Sequence, residues 1–207
     1  MKTSVYFLLI LLSLACQKRI SYKTIGLQLL DEFTESELAV ISDSLIHTFQ
    51  CRVVVLPIKK APDSHITRIK SFRYRADSLL NFLDQQKPDS IDVMLGLTKT
   101  DIAITKIDKE TGLVKTPKST YTDWAIFGLG RVNGYSCVVS NYRLKKRVSN
   151  SGYLTRFTRI CNHEVGHVFG LRHCPTLNCL MNDANETIKT IDKSSGKLCD
   201  SCRSIIF

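Results

Sequence analysis

His163-Glu164-Val165-Gly166-His167-Val168-Phe169-Gly170-Leu171-Arg172-His173-Cys174 carries three histidines at spacings that a helix followed by a sharp turn brings to one point. Residues four apart share a helix face, so the His163 and His167 imidazoles can meet one zinc ion. Zn–N bonds of about 2.0–2.1 Å tolerate little misplacement, and a rigid helix limits it. Glu164 stands beside the first histidine, where it can accept a proton, as general base, from a water in the open metal position. Gly170 falls where the helix must stop, a place that favours glycine in the left-handed region. His173 is badly placed on a continued helix, but after that turn it can give a third nitrogen. Three nitrogens and one water make the open tetrahedron of a catalytic zinc site. Unrelated histidines would leave this spacing unexplained.

A second group follows. Cys174 and Cys179 are joined by the pair in Cys199-Asp200-Ser201-Cys202. Four thiolates in two pairs, the second a CxxC knuckle, suit a closed structural zinc site. The alternative is two disulfides, which an oxidising exported compartment favours. CxxC pairs are common zinc clips and poor structural disulfides, and with metal the charges balance, four thiolates against two divalent ions. Cys51 and Cys137 lie in apolar runs and Cys161 just ahead of the histidine motif, so all three read as small buried hydrophobes. His47 and His65 have no partner at ligand spacing.

From His163 to Cys202 the chain resembles the archaemetzincin family, whose pattern is HExxHxxGxxHC, four residues, Cys, one residue, Met, seventeen residues and CxxC. Pro175–Asn178 fills the four-residue gap, Cys179-Leu180-Met181 the middle, and Asn182–Leu198 the seventeen. Phe127-Gly128 and Gly134–Leu144 are also similar to that family's segment before the active-site helix. The resemblance implies a zinc metallopeptidase of metzincin type with an α+β fold: a twisted mixed β-sheet, backing and active-site helices, and a small zinc-stapled C-terminal subdomain. It implies His163, His167 and His173 on a catalytic zinc, with Glu164 as general base. Met181 would form a Met-turn beneath the metal, and Cys174, Cys179, Cys199 and Cys202 would hold a structural zinc, giving two Zn2+ per chain. It also implies that Ala125–Val132 is an edge strand above the cleft, to which an extended peptide can add as a strand. No Tyr stands two residues after Met181, so a tyrosine switch at the metal is not expected.

Upstream, Thr24–Leu30 reads as a buried strand. Thr34-Glu35-Ser36-Glu37 resembles a capping box that opens a helix to about Phe49, with Leu38, Ile41, Leu45 and Phe49 on one face. Cys51–Leu56 and Ile91–Leu97 read as further strands, and a helix is expected over about Ala76–Gln86. Asn133-Gly134 separates Ala125–Val132 from Tyr135–Ser140 and signals a hairpin with a type I′ turn. Trp124 could flank the cleft or serve as a core aromatic. Arg143–Arg147 is a basic run of the kind that forms a solvated turn.

The chain has 207 residues, 43% of them apolar and 23% charged, enough for one globular core and unlike a disordered or fibrous composition. Lys2 precedes the apolar run Val5–Leu12 and the small residues before Cys16, which is too short for a membrane span but describes a secretory signal. Leu14-Ala15-Cys16 resembles a lipobox, with Cys16 lipidated. Ser13-Leu14-Ala15 equally suits an ordinary signal peptidase. The expected organisation is a signal peptide over 1–15, a lipid-anchor or linker segment over 16–20, and one metallopeptidase domain over 21–207, divided at residue 174 into an N-terminal part with the active-site helix and a C-terminal zinc-binding part. The product is expected in the bacterial envelope as a membrane-anchored lipoprotein, or else soluble, secreted or periplasmic.

Loss of Lys2 takes the formal charge from +10 to +9. That charge permits nucleic-acid binding, but there is no basic stripe interleaved with aromatics, and export argues against it. The expected partner is a peptide or protein substrate, with no nucleic acid and a monomeric chain. The alternative is a non-catalytic zinc-stabilised envelope binding protein of the same fold. Glu164 argues against it, because a metal scaffold needs no carboxylate there.

Overall fold

In the computed structural model, residues 23–184 and 187–207 are described, so the targeting segment and Cys16 lie outside them. The elements in chain order are β1 (Thr24–Leu29), α1 (Glu35–Phe49), β2 (Arg52–Leu56), β3 (Ile66–Thr67), β4 (Arg73–Arg75), α2 (Ala76–Gln86), β5 (Val93–Thr98), β6 (Ile102–Ile104), α3 (Lys118–Tyr121), β7 (Trp124–Ile126), β8 (Gly128–Gly130), β9 (Ser136–Ser140), α4 (Asn150–Val168), α5 (Ile188–Lys193) and α6 (Asp200–Ile206). The main sheet has the order β2-β1-β5-β9-β8, with its first four strands parallel and β8 antiparallel at the edge. A smaller sheet, β3-β4-β6-β7, lies beside it. Among the described residues no helix is long and apolar enough to cross a membrane.

Parallel strands buried on both faces need apolar residues on both, and β5 supplies them by alternation. Val93, Leu95 and Leu97 face the cluster built with α1 and α4, while Met94 faces the cluster built with α2. Helix α1 forms as its sequence predicts. The Glu37 N–H donates to Thr34 Oγ1 at 3.2 Å and the Thr34 N–H donates back to Glu37 Oε2 at 2.9 Å, while Ile41, Leu45 and Phe49 are buried. Helix α2 has the expected bounds.

Three expectations change. The Ala125–Val132 run is not one edge strand. Residues 124–126 pair with β6 in the smaller sheet, the chain crosses over at Phe127, and residues 128–130 pair with β9. β8 brings the main sheet to the cleft, because its two glycines allow it to lie against α4, and Ala125 and Ile126 of β7 line the same cleft from the smaller sheet. Asn133-Gly134 does turn the chain between β8 and β9, but not as type I′. Asn133 alone has positive φ (57°), and its N–H donates to the His167 carbonyl at 3.1 Å, so docking onto the end of α4 shapes the loop. The basic run is not wholly solvated either, because Leu144 is fully buried and Arg143 is forked onto Asp101 at 2.7 Å through Nε and Nη2. Asp101 also accepts from Arg73 Nε at 2.8 Å, which ties the smaller sheet to the segment after β9.

Candidate metal centre and catalytic cleft

Helix α4 begins far ahead of the histidine motif. Ser149 caps it, accepting from the Gly152 N–H at 3.2 Å, and Tyr153, Phe157, Ile160, Cys161, Val165 and Val168 bury one face in the core. Cys161 therefore lies inside the helix. It is buried like Cys51 and Cys137, and burial raises all three thiols above their ordinary range. The helix stops at a Schellman turn: Leu171 N–H donates to Gly166 O and Gly170 N–H to His167 O, both at 2.9 Å, with Gly170 at φ 94°. This turn carries the chain back so that His173 joins the two helical histidines.

The three imidazoles converge, with ligand nitrogens within 4.8 Å of one another. His163 Nδ1 lies 2.8 Å from the Leu180 carbonyl and His167 Nδ1 2.8 Å from the Leu171 carbonyl. A carbonyl only accepts, so each Nδ1 carries the proton and each Nε2 keeps its lone pair. Burial favours this neutral form, bringing His163 down to about 4 and lowering His167 as well. The two Nε2 atoms then stand 3.1 Å apart with lone pairs and no proton between them. A shared cation resolves that repulsion, so the donor set fits zinc. His173 has a charged partner instead of a carbonyl, Asp183 Oδ2 at 3.4 Å from Nδ1.

Glu164 lines the same cleft as the three histidines, with its carboxylate under β8. It is 8% exposed, and burial pushes its carboxyl up to about 8 against a hydrogen bond from Gly130 that favours the anion. A divalent cation in the adjacent histidine cradle works in the same direction as Gly130. Met181 is fully buried beneath the helix, so close that a Cβ on Gly166 would lie 2.6 Å from its Sδ.

The four C-terminal cysteines form a second cluster, with sulfurs also within 4.8 Å of one another. Cys174–Cys199 Sγ atoms are 3.7 Å apart and Cys179–Cys202 Sγ atoms 3.8 Å, and none is bonded to another. Zn–S bonds of about 2.3 Å in a tetrahedron put sulfurs about 3.8 Å apart, so these distances fit a zinc site. The Cys202 N–H helps hold Cys199 down to about 6, and the Met181 and Cys199 N–H groups point at Cys179 Sγ, each at 3.5 Å. Such donors favour the thiolate a metal needs.

Both clusters border one open cleft of about 790 Å³, lined by β8, α4, the segment after Met181 and α5. Arg159, Asp183 and Gly130 line it too, and no motif in the sequence marks them as site residues. Alternating glycines in Gly128-Leu129-Gly130 were a readable sign of close backbone approach. Trp124 does not line the cleft. It stacks on Tyr121 and carries Lys106 over its ring at 4.8 Å.

Comparison with known proteins gives a consistent picture. The model of peptidase family M54 matches residues 10–206. An archaemetzincin of Halobacterium salinarum is 29% identical over 175 residues, covering 80% of this chain and 89% of its own length. The crystal structure of archaemetzincin from Methanopyrus kandleri is similar with a TM-score of 0.73 at 27% identity, covering 91% of this chain and 95% of that one. That of the Archaeoglobus fulgidus archaemetzincin, complexed with malonate, gives 0.67 at 26% identity, covering 88% and 99%.

Proposed function

The chain belongs to peptidase family M54, and from that premise we propose how its own residues hydrolyse a peptide and where they do so. It is a zinc metallopeptidase. In the proposed arrangement His163, His167 and His173 hold the catalytic zinc, and Cys174, Cys179, Cys199 and Cys202 hold a structural one. Met181 forms the Met-turn. A zinc ion in the histidine cradle supplies Lewis acidity, acidifying a water and polarising a carbonyl. Glu164 takes the proton from the attacking water and delivers it to the leaving amine. Burial beneath β8 keeps its carboxylate poorly hydrated, which strengthens it as a base. The β8 edge offers its backbone to an extended peptide, and the Leu180 and Leu171 carbonyls keep both helical imidazoles in the tautomer that leaves Nε2 open.

The substrate is a peptide or protein, nucleic acid is not a partner, and the chain acts as a monomer. Export is read from residues 1–15, with a lipid on Cys16 anchoring the enzyme in the envelope. The observation that carries the catalytic reading is the pair of neutral imidazoles facing one point beside a buried carboxylate in an open cleft. The experiment is turnover of a peptide library by wild type and Glu164→Gln, with zinc counted in both. Loss of turnover by about 100-fold or more with both zincs retained supports catalysis. Absence of turnover in both proteins, with both zincs retained, assigns the fold to binding alone, and equal turnover by both removes Glu164 from the role of base. Mass spectrometry of the mature amino terminus, with or without a diacylglyceryl cysteine, tests the anchor.

A further inference from the structure

The cleft continues past the histidines along α4. Arg159 and Ile160, about one turn before His163, form one wall, and Thr190, Ile191 and Ser194 form the other. Arg159 and His163 are four residues apart, so their side chains rise from the same helix face. The guanidinium is fixed in place: Nη1 donates to the Ile191 carbonyl at 3.0 Å and to the Asp192 carbonyl at 3.1 Å. Among the described residues every hydrogen bond of this guanidinium runs through Nη1. A guanidinium has five N–H donors in a planar fork.

Charge points the same way. The Asp192 carboxylate is already gripped by Arg156, Nε and Nη2 each at 2.7 Å. Arg159 adds a second guanidinium beside that single carboxylate, and its charge acts on Asp192 as well. Among the described residues, two cations against one anion leave a surplus positive charge in this wall. Of the other cations lining the cleft, Arg143 is spent on Asp101, and the Asp183 charge acts on Lys106. Lys109 stands exposed on the opposite lip. Ile160, Leu180 and Ile191 give the recess apolar sides, so it suits a short methylene stem ending in an anion.

We propose that the recess between α4 and α5 takes a carboxylate of the bound peptide, with Arg159 as the residue that selects it. The proposal rests on the peptidase reading and names its substrate class. The carboxylate has two sources, an Asp or Glu side chain near the scissile bond or the free C-terminus of a short peptide. Held by a preorganised fork, either gains a charge-assisted, two-pronged hydrogen bond that its amide counterpart lacks.

The test pairs peptides that differ only as Glu against Gln at positions flanking the cleaved bond, each with a free and an amidated C-terminus. The expected kcat/KM preference for the carboxylate is about tenfold or more. It falls to about twofold or less in Arg159→Gln and survives in part in Arg159→Lys. Preference that follows Glu against Gln identifies the side chain, and preference that follows amidation identifies the C-terminus. Cleavage by wild type with no preference overturns the proposal while leaving the peptidase reading standing. A preference unchanged in Arg159→Gln, at an unchanged zinc count, also overturns it, because the metal or Lys109 then reads the anion. Should wild type cleave none of the peptides, their binding to zinc-loaded Glu164→Gln decides. Carboxylate peptides binding about tenfold tighter, with that margin lost on adding Arg159→Gln, uphold the recess, and equal binding overturns it.

Discussion

Gly130 and Glu164 approach each other so closely that a Cβ on Gly130 would fall 2.5 Å from the Glu164 carbonyl oxygen. Two residues earlier, a Cβ on Gly128 would lie 2.7 Å from Glu164 Oε1. The edge strand therefore rests directly on the active-site helix, with the carboxylate between them. Any side chain at either position separates strand from helix or displaces the base.

The two glycines should fail differently. Gly130→Ala clashes with helix backbone that cannot turn aside, so β8 or α4 must shift, and a loss of about 1–3 kcal/mol in urea unfolding is expected. Gly128→Ala meets the Glu164 side chain, which can rotate. There kcat should fall by about tenfold or more with stability and zinc content near wild type.

Asp183 faces the third histidine, its Oδ2 3.4 Å from His173 Nδ1. A carboxylate there orients the ring and raises its basicity. Because both side chains are about half exposed, the effect belongs at the low end of such partners. Asp183→Ala should weaken zinc at the histidine site by about tenfold in chelator competition, and leave the cysteine site unchanged.

The two metal clusters are coupled through three consecutive residues. Cys179 belongs to the cysteine cluster, the Leu180 carbonyl holds His163 Nδ1 at 2.8 Å, and Met181 lies under Gly166. A change at the cysteines should therefore reach the histidines. Cys202→Ser is expected to cost the structural zinc and to lower occupancy of the catalytic site with it, giving fewer than about one zinc per chain by elemental analysis. His167→Ala should lose only one, because Leu180 and the cysteines do not depend on that ring.

Where local chemistry decided a feature, the sequence revealed it. The box from Thr34 to Glu37 and the apolar positions Ile41, Leu45 and Phe49 place α1, and HExxH with Gly170 places two ligands and a turn. Partners chosen at a distance were hidden. Residues 124–126 and 128–130 look like one run because alternation says nothing about which sheet a strand joins, and the choice is made by β6 and by α4. The carbonyls of Leu180 and Leu171 set the histidine tautomers, yet a backbone oxygen has no residue type to read. Arg159 looks like any basic helix residue until α5 folds against it. Glu37 was legible as a cap but not as a link to α4.

That link makes a pH prediction. Glu37 accepts at 2.5 Å from the Tyr153 hydroxyl, which in turn accepts from Asn141 Nδ2 at 2.9 Å. Burial works against the Glu37 carboxylate, but the Tyr153 and Thr34 hydrogen bonds outweigh it and hold the pKa below the ordinary value of 4.5. The unfolded chain therefore binds this proton first as pH falls. The stabilisation is fully present above about 4.5 and drains away as pH drops towards the folded value. Glu37→Gln keeps the shape of the cap but removes the charge. At pH 7 it should be about 1–3 kcal/mol less stable than wild type in urea, the worth of hydrogen bonds to a charged group. Below about pH 4 the gap should narrow, because wild type then loses the same charge. Both proteins keep the same metal ligands, so acid release of metal affects them alike, and the difference between them isolates Glu37. A gap that stays constant down to pH 3 would show that Glu37 carries no such linkage.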